Sequence, residues 1–84
     1  MSFSIEFSTN AAKELEKLDT AVQIQLLKKI AHLKGNSFLG EPLSNVMKNN
    51  RRLHVGKWRV VYSIEQKENL ILIAKIGHRK DVYE

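Results

Sequence analysis

Hydrophobic positions along the chain change their period several times, and each change marks an element. From Ser2 to Phe7, Phe3, Ile5 and Phe7 alternate with Ser2, Ser4 and Glu6. A period of two is the signature of a half-buried strand. Ser8-Thr9-Asn10 follows, a run of side-chain oxygens able to accept bonds from the orphan amides of a first helical turn. Ala11, Ala12, Leu15 and Leu18 then recur at helical spacing, with Lys13, Glu14, Glu16 and Lys17 between them. Thr20 followed three residues later by Gln23 has the form of a capping box. After it, Val22, Leu26, Leu27, Ile30 and Leu33 predict a second amphipathic helix. Lys34-Gly35 supplies its stop, a cation for the helix dipole and a glycine for a left-handed cap. The short connection predicts that the two helices form an antiparallel hairpin.

Between Asn36 and Asn50 the periodicity disappears. Gly40, Pro42 and paired asparagines predict a loop, with a short helical turn around Leu43-Ser44-Asn45-Val46. Strand character returns at Arg51–Val55. Gly56-Lys57 then has glycine first, as a type II′ hairpin turn prefers. Trp58–Ile64 is the clearest strand in the chain, Glu65–Asn69 a polar loop, and Leu70–Ile76 a nearly continuous apolar run of the kind central strands show. Gly77 is expected to break that strand, leaving His78–Glu84 as a tail. The order β-α-α-β-β-β predicts an α+β fold, with the helical hairpin on one face of a mostly antiparallel four-stranded sheet. At 84 residues the chain makes one domain over 1–84.

Composition narrows the chemistry. There is no cysteine, which removes disulfides, thiolate nucleophiles and cysteine-held metals. No stretch approaches the ~18 apolar residues of a membrane span, and the N-terminus lacks a signal-peptide pattern. A cytoplasmic protein with no membrane role is expected. HExxH, Walker-loop and Ser/His/Asp patterns are missing, and His32, His54 and His78 have no ligand-like spacing. Neither a metal nor a small-molecule cofactor is implied. His32, beside core positions of the second helix, is expected to be a packing or surface residue.

The formal charge of +5 matters less than its placement. No acidic residue lies between Glu41 and Glu65, whereas Lys48, Arg51, Arg52, Lys57 and Arg59 do, with His54 among them. Such a block fits a solvated basic face or a polyanionic partner. Strand alternation makes the distribution specific. A hairpin turning at Gly56-Lys57 pairs Val55 with Trp58, His54 with Arg59, Leu53 with Val60 and Arg52 with Val61. Trp58, Val60, Tyr62 and Ile64 form the more apolar set and should meet the helices. Arg52, His54 and Arg59 then share the open face. Guanidinium groups match phosphate geometry bidentately, and no carboxylate within the segment can pair with them. His54, beside them, carries a ring nitrogen of the kind that can accept a proton.

Three segments in this order, Gly40-Glu41-Pro42-Leu43, Arg52–Tyr62 and Ile76-Gly77-His78-Arg79-Lys80-Asp81-Val82-Tyr83, resemble the RelE toxins of bacterial and archaeal toxin–antitoxin systems. The resemblance covers essentially the whole chain. It implies an endoribonuclease that enters the ribosomal A site and cuts mRNA, using the RNA 2′-hydroxyl as nucleophile and no metal. It further implies that Arg52 and Arg59 hold the phosphate and that Arg79 stabilises charge from the tail. Tyr83 matches the family's C-terminal tyrosine, a base-stacking residue and a candidate for proton transfer. Arg59, Arg79, Tyr83 and His54 are thus the expected catalytic set; Arg51, Arg52, Lys57, His78 and Lys80 are the expected RNA contacts. His54 stands where relatives commonly carry a lysine. The expected partners are the ribosome, mRNA and a cognate RelB-like antitoxin. Two rivals stand beside this reading: a ParE-like toxin, which shares the fold, inhibits DNA gyrase without catalysis and needs no Arg79–Tyr83 arrangement, so that the tail argues against it, and a non-toxic RNA-binding module.

Overall fold

The computed structural model describes residues 3–42 and 50–78. Its elements are β1 (Ser4–Phe7), α1 (Thr9–Glu16), α2 (Thr20–Ala31), β2 (Glu41–Pro42), β3 (Asn50–Val55), β4 (Trp58–Glu65) and β5 (Leu70–His78), with a 3-10 turn after α2 at His32–Lys34. The strands form one sheet in the order β1-β5-β4-β3-β2. It is antiparallel except where β1 pairs with β5 in parallel. The α+β class and the two helices on a sheet are as the pattern predicts, but among the described residues the sheet has five strands. The extra one, β2, is two residues long and contains proline, too short to leave a periodicity. The helical turn expected around Leu43–Val46 lies outside the described residues.

The hairpin of β3 and β4 has the expected register, Val55 with Trp58, His54 with Arg59, Leu53 with Val60 and Arg52 with Val61. Gly56 adopts a positive φ of 60° and Lys57 does not, the combination of a type II′ turn. This turn twists with the flanking strands, so it sets the register rather than merely permitting it.

Leu26 and Ile30 of α2, with Ala11 of α1 and Leu33, close over Leu53, Val55, Val60, Tyr62, Ile64, Ile71, Ile73 and Ile76 of the sheet. α1 packs against β1 and β5, and α2 reaches β3 on the other side. Both helices therefore contribute to one core by covering different strands, with the sheet as their common partner. Leu27, expected in that core, is 42% exposed, and Ile24 is similarly uncovered.

Local chemistry follows the sequence pattern at the start of α1 and departs from it at both ends of α2. Ser8 is the N-cap of α1, as expected, its Oγ accepting from the Ala11 N–H at 3.0 Å. At α2 the capping residue is Asp19, and the box is not formed. The Gln23 amide instead donates to the carbonyls of Leu15 (2.9 Å) and Leu18 (3.0 Å). It thereby satisfies orphan acceptors at the end of α1. Gly35 has φ −98°, in the right-handed region, so no left-handed cap ends α2. The helix tightens into the 3-10 turn, with the Gly35 and Asn36 amides both donating to the His32 carbonyl.

β5 runs through Gly77 to His78 without breaking. Its irregularity comes earlier: Val61 pairs with Lys75 and Tyr62 with Ile73, so Ala74 is an extra residue, a β-bulge. Ser8 fastens it. Its N–H donates to the Ile73 carbonyl at 2.8 Å and its hydroxyl to the Ala74 carbonyl at 2.9 Å.

Candidate nucleic-acid interface

The register arranges the face away from the helices in rows across the strands. One row is His54, Arg59 and Gly77; the next is Glu41, Arg52, Val61 and Lys75; a third is Asn50, Ser63, Leu72 and Glu6. Cations concentrate in the first two rows, toward the β3–β4 turn, and the third ends in a carboxylate. The face therefore has a basic end and a more neutral one. Arg52 and Arg59 are half-buried, and His54 is exposed. Val61 is only 6% exposed although it lies on this face, between Arg52 and Lys75.

The expected trio of Arg52, His54 and Arg59 is thus brought together on one surface. Lys57 sits exposed at the turn that closes the same hairpin. Arg51 and His78 are elsewhere. Arg51 pairs with Tyr62 and so lies on the helix side. Its Nε donates to the Gly40 carbonyl at 2.8 Å, and its guanidinium lies 5.0 Å from the Phe38 ring centroid. These contacts hold the segment entering β2. His78 is in register with Trp58 and meets its indole edge-on, centroids 5.6 Å apart, also on the helix side. Arg79, Lys80 and Tyr83 lie outside the described residues.

Two residues of the interface were missed in the sequence. Glu41, the boundary of the acid-free segment, approaches Arg52 at 3.4 Å across the β2–β3 pair. A carboxylate absent from the linear segment is therefore supplied by the strand beside it. Exposed pairs of this kind contribute about 0–1 kcal/mol, so Glu41 orients Arg52 more than it stabilises the fold. Lys75 adds a cation beside Val61. The available signal was that Lys75 is the lone charge in the run Leu70–Ile76.

The surface has a rigid support beneath it. Tyr62 is fully buried; its hydroxyl accepts from the Gly40 N–H at 2.9 Å and donates to the Ser37 carbonyl at 2.8 Å. Burial raises its phenol above the usual tyrosine range, opposed by the Gly40 bond and the charge of Arg51. A Cβ on Gly40 would collide with the Arg52 carbonyl and meet the Tyr62 ring at 2.9 Å. Only glycine lets the backbone pass here. The contact fixes β2, and with it Glu41, against Arg52.

Chemically, a cationic sheet face with a histidine in register beside an arginine can bind a phosphodiester and offer a proton acceptor near it. Comparison with known proteins adds the lineage. The profile of a family described as the ParE toxin of type II toxin–antitoxin systems matches residues 5–83. A putative RelE-like toxin protein of Escherichia coli is 29% identical over 87 residues, spanning 99% of this chain and 92% of its own length. Toxin RelG of Mycobacterium tuberculosis is 24% identical over 85 residues, spanning 99% and 98%. In the crystal structure of the Mycobacterium tuberculosis RelBE2 toxin–antitoxin complex, one chain superposes with a TM-score of 0.85 at 21% identity, covering 94% of this chain and all of that one. The chain belongs to the ParE toxin family of type II toxin–antitoxin systems, within the RelE/ParE superfamily of toxins.

Proposed function

We propose that this toxin is an endoribonuclease that cuts mRNA in the ribosomal A site and so arrests translation. The observation that carries the proposal is the row of His54 and Arg59 beside Arg52 on the open face of the sheet. In the reaction the RNA 2′-oxygen, losing its proton, attacks the adjacent phosphorus, the 5′-oxygen of the next nucleotide leaves as a hydroxyl after taking a proton from water, and a 2′,3′-cyclic phosphate remains. Arg59 and Arg52 stabilise the charge that builds on the phosphoryl oxygens, where fixed cations lower a barrier most. His54 is positioned to take the 2′-hydroxyl proton. From the C-terminus, Arg79 serves the leaving oxygen and Tyr83 stacks on a base; Lys57 and Lys80 contact neighbouring phosphates. Arg51 and His78 contribute indirectly, by holding the β2 entry and the end of β5. The site of action is the cytoplasm. A cognate RelB-like antitoxin restrains the toxin, a partner supported by the toxin–antitoxin complex that shares the fold.

A second reading has a specific observation in its favour: the matching family profile is described as the ParE toxin, and inhibition of DNA gyrase without RNA chemistry is what a ParE-like reading implies. Primer-extension mapping of transcripts after induction separates the two. New 5′ ends within translated regions, lost in Arg79→Ala and Tyr83→Ala, are expected. Growth arrest with unbroken transcripts and inhibited supercoiling would instead establish the gyrase reading.

A further inference from the structure

The cationic surface does not stop at the sheet face. β2 pairs only with Arg51 and Arg52, so from Leu53 to Val55 the outer edge of β3 has no strand beside it among the described residues. α2 runs along this bare stretch. Between them lies a groove of about 430 Å³ lined by Gln25, Lys28, Lys29, His32 and His54. It continues into a smaller hollow of about 220 Å³ that reaches Arg52 and Glu41, the two sharing Lys29 and His54. The two ion pairs among the described residues, Lys17–Glu14 and Arg52–Glu41, leave Lys28 and Lys29 out. Lysines in the last turn of α2 suit its dipole. That accounts for their place on the helix, but not for the convergence on them of His54 from a different element.

We propose that the groove between α2 and the free edge of β3 binds the phosphodiester backbone of RNA at nucleotides away from the scissile bond. This inference rests on the RNA reading above. His54 belongs both to the reaction row and to the groove, so a strand leaving Arg59 passes over the β3 edge onto Lys29 and Lys28. The lining favours a polyanion over a peptide for two reasons. Val55 in the larger groove and Leu53 in the smaller hollow are already buried in the core, so Leu39 alone is left exposed, too little for the apolar stripe of an amphipathic helix. The free edge spans three residues, short for an added strand when strands typically run about 5–6.

The test is equilibrium binding of the full chain to two non-cleavable, 2′-O-methylated RNAs, a trinucleotide and a single strand of roughly twelve nucleotides, over a range of salt. In Lys28→Ala/Lys29→Ala, verified as folded by its thermal melt, the longer RNA is expected to bind at least about tenfold more weakly at low salt. Its log–log salt slope should be shallower by about 1.4, two phosphate contacts at ~0.7 each for single strands. Trinucleotide binding should not change. An unchanged slope for the longer RNA, with both probes weakened by Arg59→Ala, overturns the groove while the RNA reading survives. Equal losses on both probes overturn a separate subsite, placing the lysines at the reaction face. Binding of neither RNA by the wild-type chain overturns the groove, while the RNA reading is then decided by cleavage of ribosome-bound mRNA. An acidic-peptide probe that depends on these lysines when the longer RNA does not assigns the groove to a protein partner and overturns the proposal.

Discussion

Tyr62 carries more of the fold than any charged residue of the interface. Its hydroxyl links Ser37 and Gly40 from inside the core. Tyr62→Phe leaves the Gly40 N–H and the Ser37 carbonyl without that partner, and each such group costs about 1–3 kcal/mol when buried. Urea denaturation should show a loss of that order. The difference also depends on pH. The phenol is raised by burial, so the folded state holds its proton more tightly than the unfolded chain does. The contribution is complete below the ordinary tyrosine value of ~10 and is lost as pH rises through the raised value. Wild type and Tyr62→Phe should therefore converge in stability above pH ~10, whereas a constant gap would contradict this account. Gly40→Ala tests the same junction sterically: overpacking against backbone costs about 1–3 kcal/mol, and a thermal melt unchanged from wild type would refute it. The sequence shows Gly40 as a loop residue and Tyr62 on the apolar face of its strand, but not that the two meet. Their contact joins positions 22 residues apart, across a segment without periodicity.

At the level of elements, Ser8 is the joint where β1 becomes α1. One side chain caps the helix and holds the bulged Ala74 carbonyl. Ser8→Ala removes both bonds, and N-cap losses alone cost about 0.5–2 kcal/mol. We expect a destabilisation near the upper end of that range by chemical denaturation, with Ser8→Thr recovering most of it; equal stability of wild type and Ser8→Ala would show the joint to be idle. The hairpin of β3 and β4 was legible because two independent signals, glycine in the turn and alternation in the strands, agreed on a register. β5 was less so. Its bulge shifts the core positions from 71 and 73 to 76, and a run that changes phase midway reads as apolar on both faces. The apparent capping box misled for a spatial reason: the tight turn between the helices brings the Leu15 and Leu18 carbonyls within reach of Gln23.

Across the whole molecule, the helices cover one face of the sheet and leave the other with its cations gathered toward the β3–β4 turn. Strand alternation alone placed Arg52, His54 and Arg59 together, because each lies on the well-patterned hairpin. The counter-charge of Glu41 and the added cation of Lys75 required the neighbouring strands, whose pairing the sequence does not state. The central claim is that this face does chemistry on RNA, with Arg59 at the phosphate. Its most direct test is single-turnover cleavage of mRNA by the purified toxin on programmed ribosomes, wild type against Arg59→Ala. Removing a charge-stabilising donor from a reaction centre costs on the order of 10²–10³ in rate. The account predicts a fall of that size, with the variant as stably folded as the wild type. Cleavage at the same rate in both, or no cleavage by either while gyrase supercoiling is blocked, would contradict it.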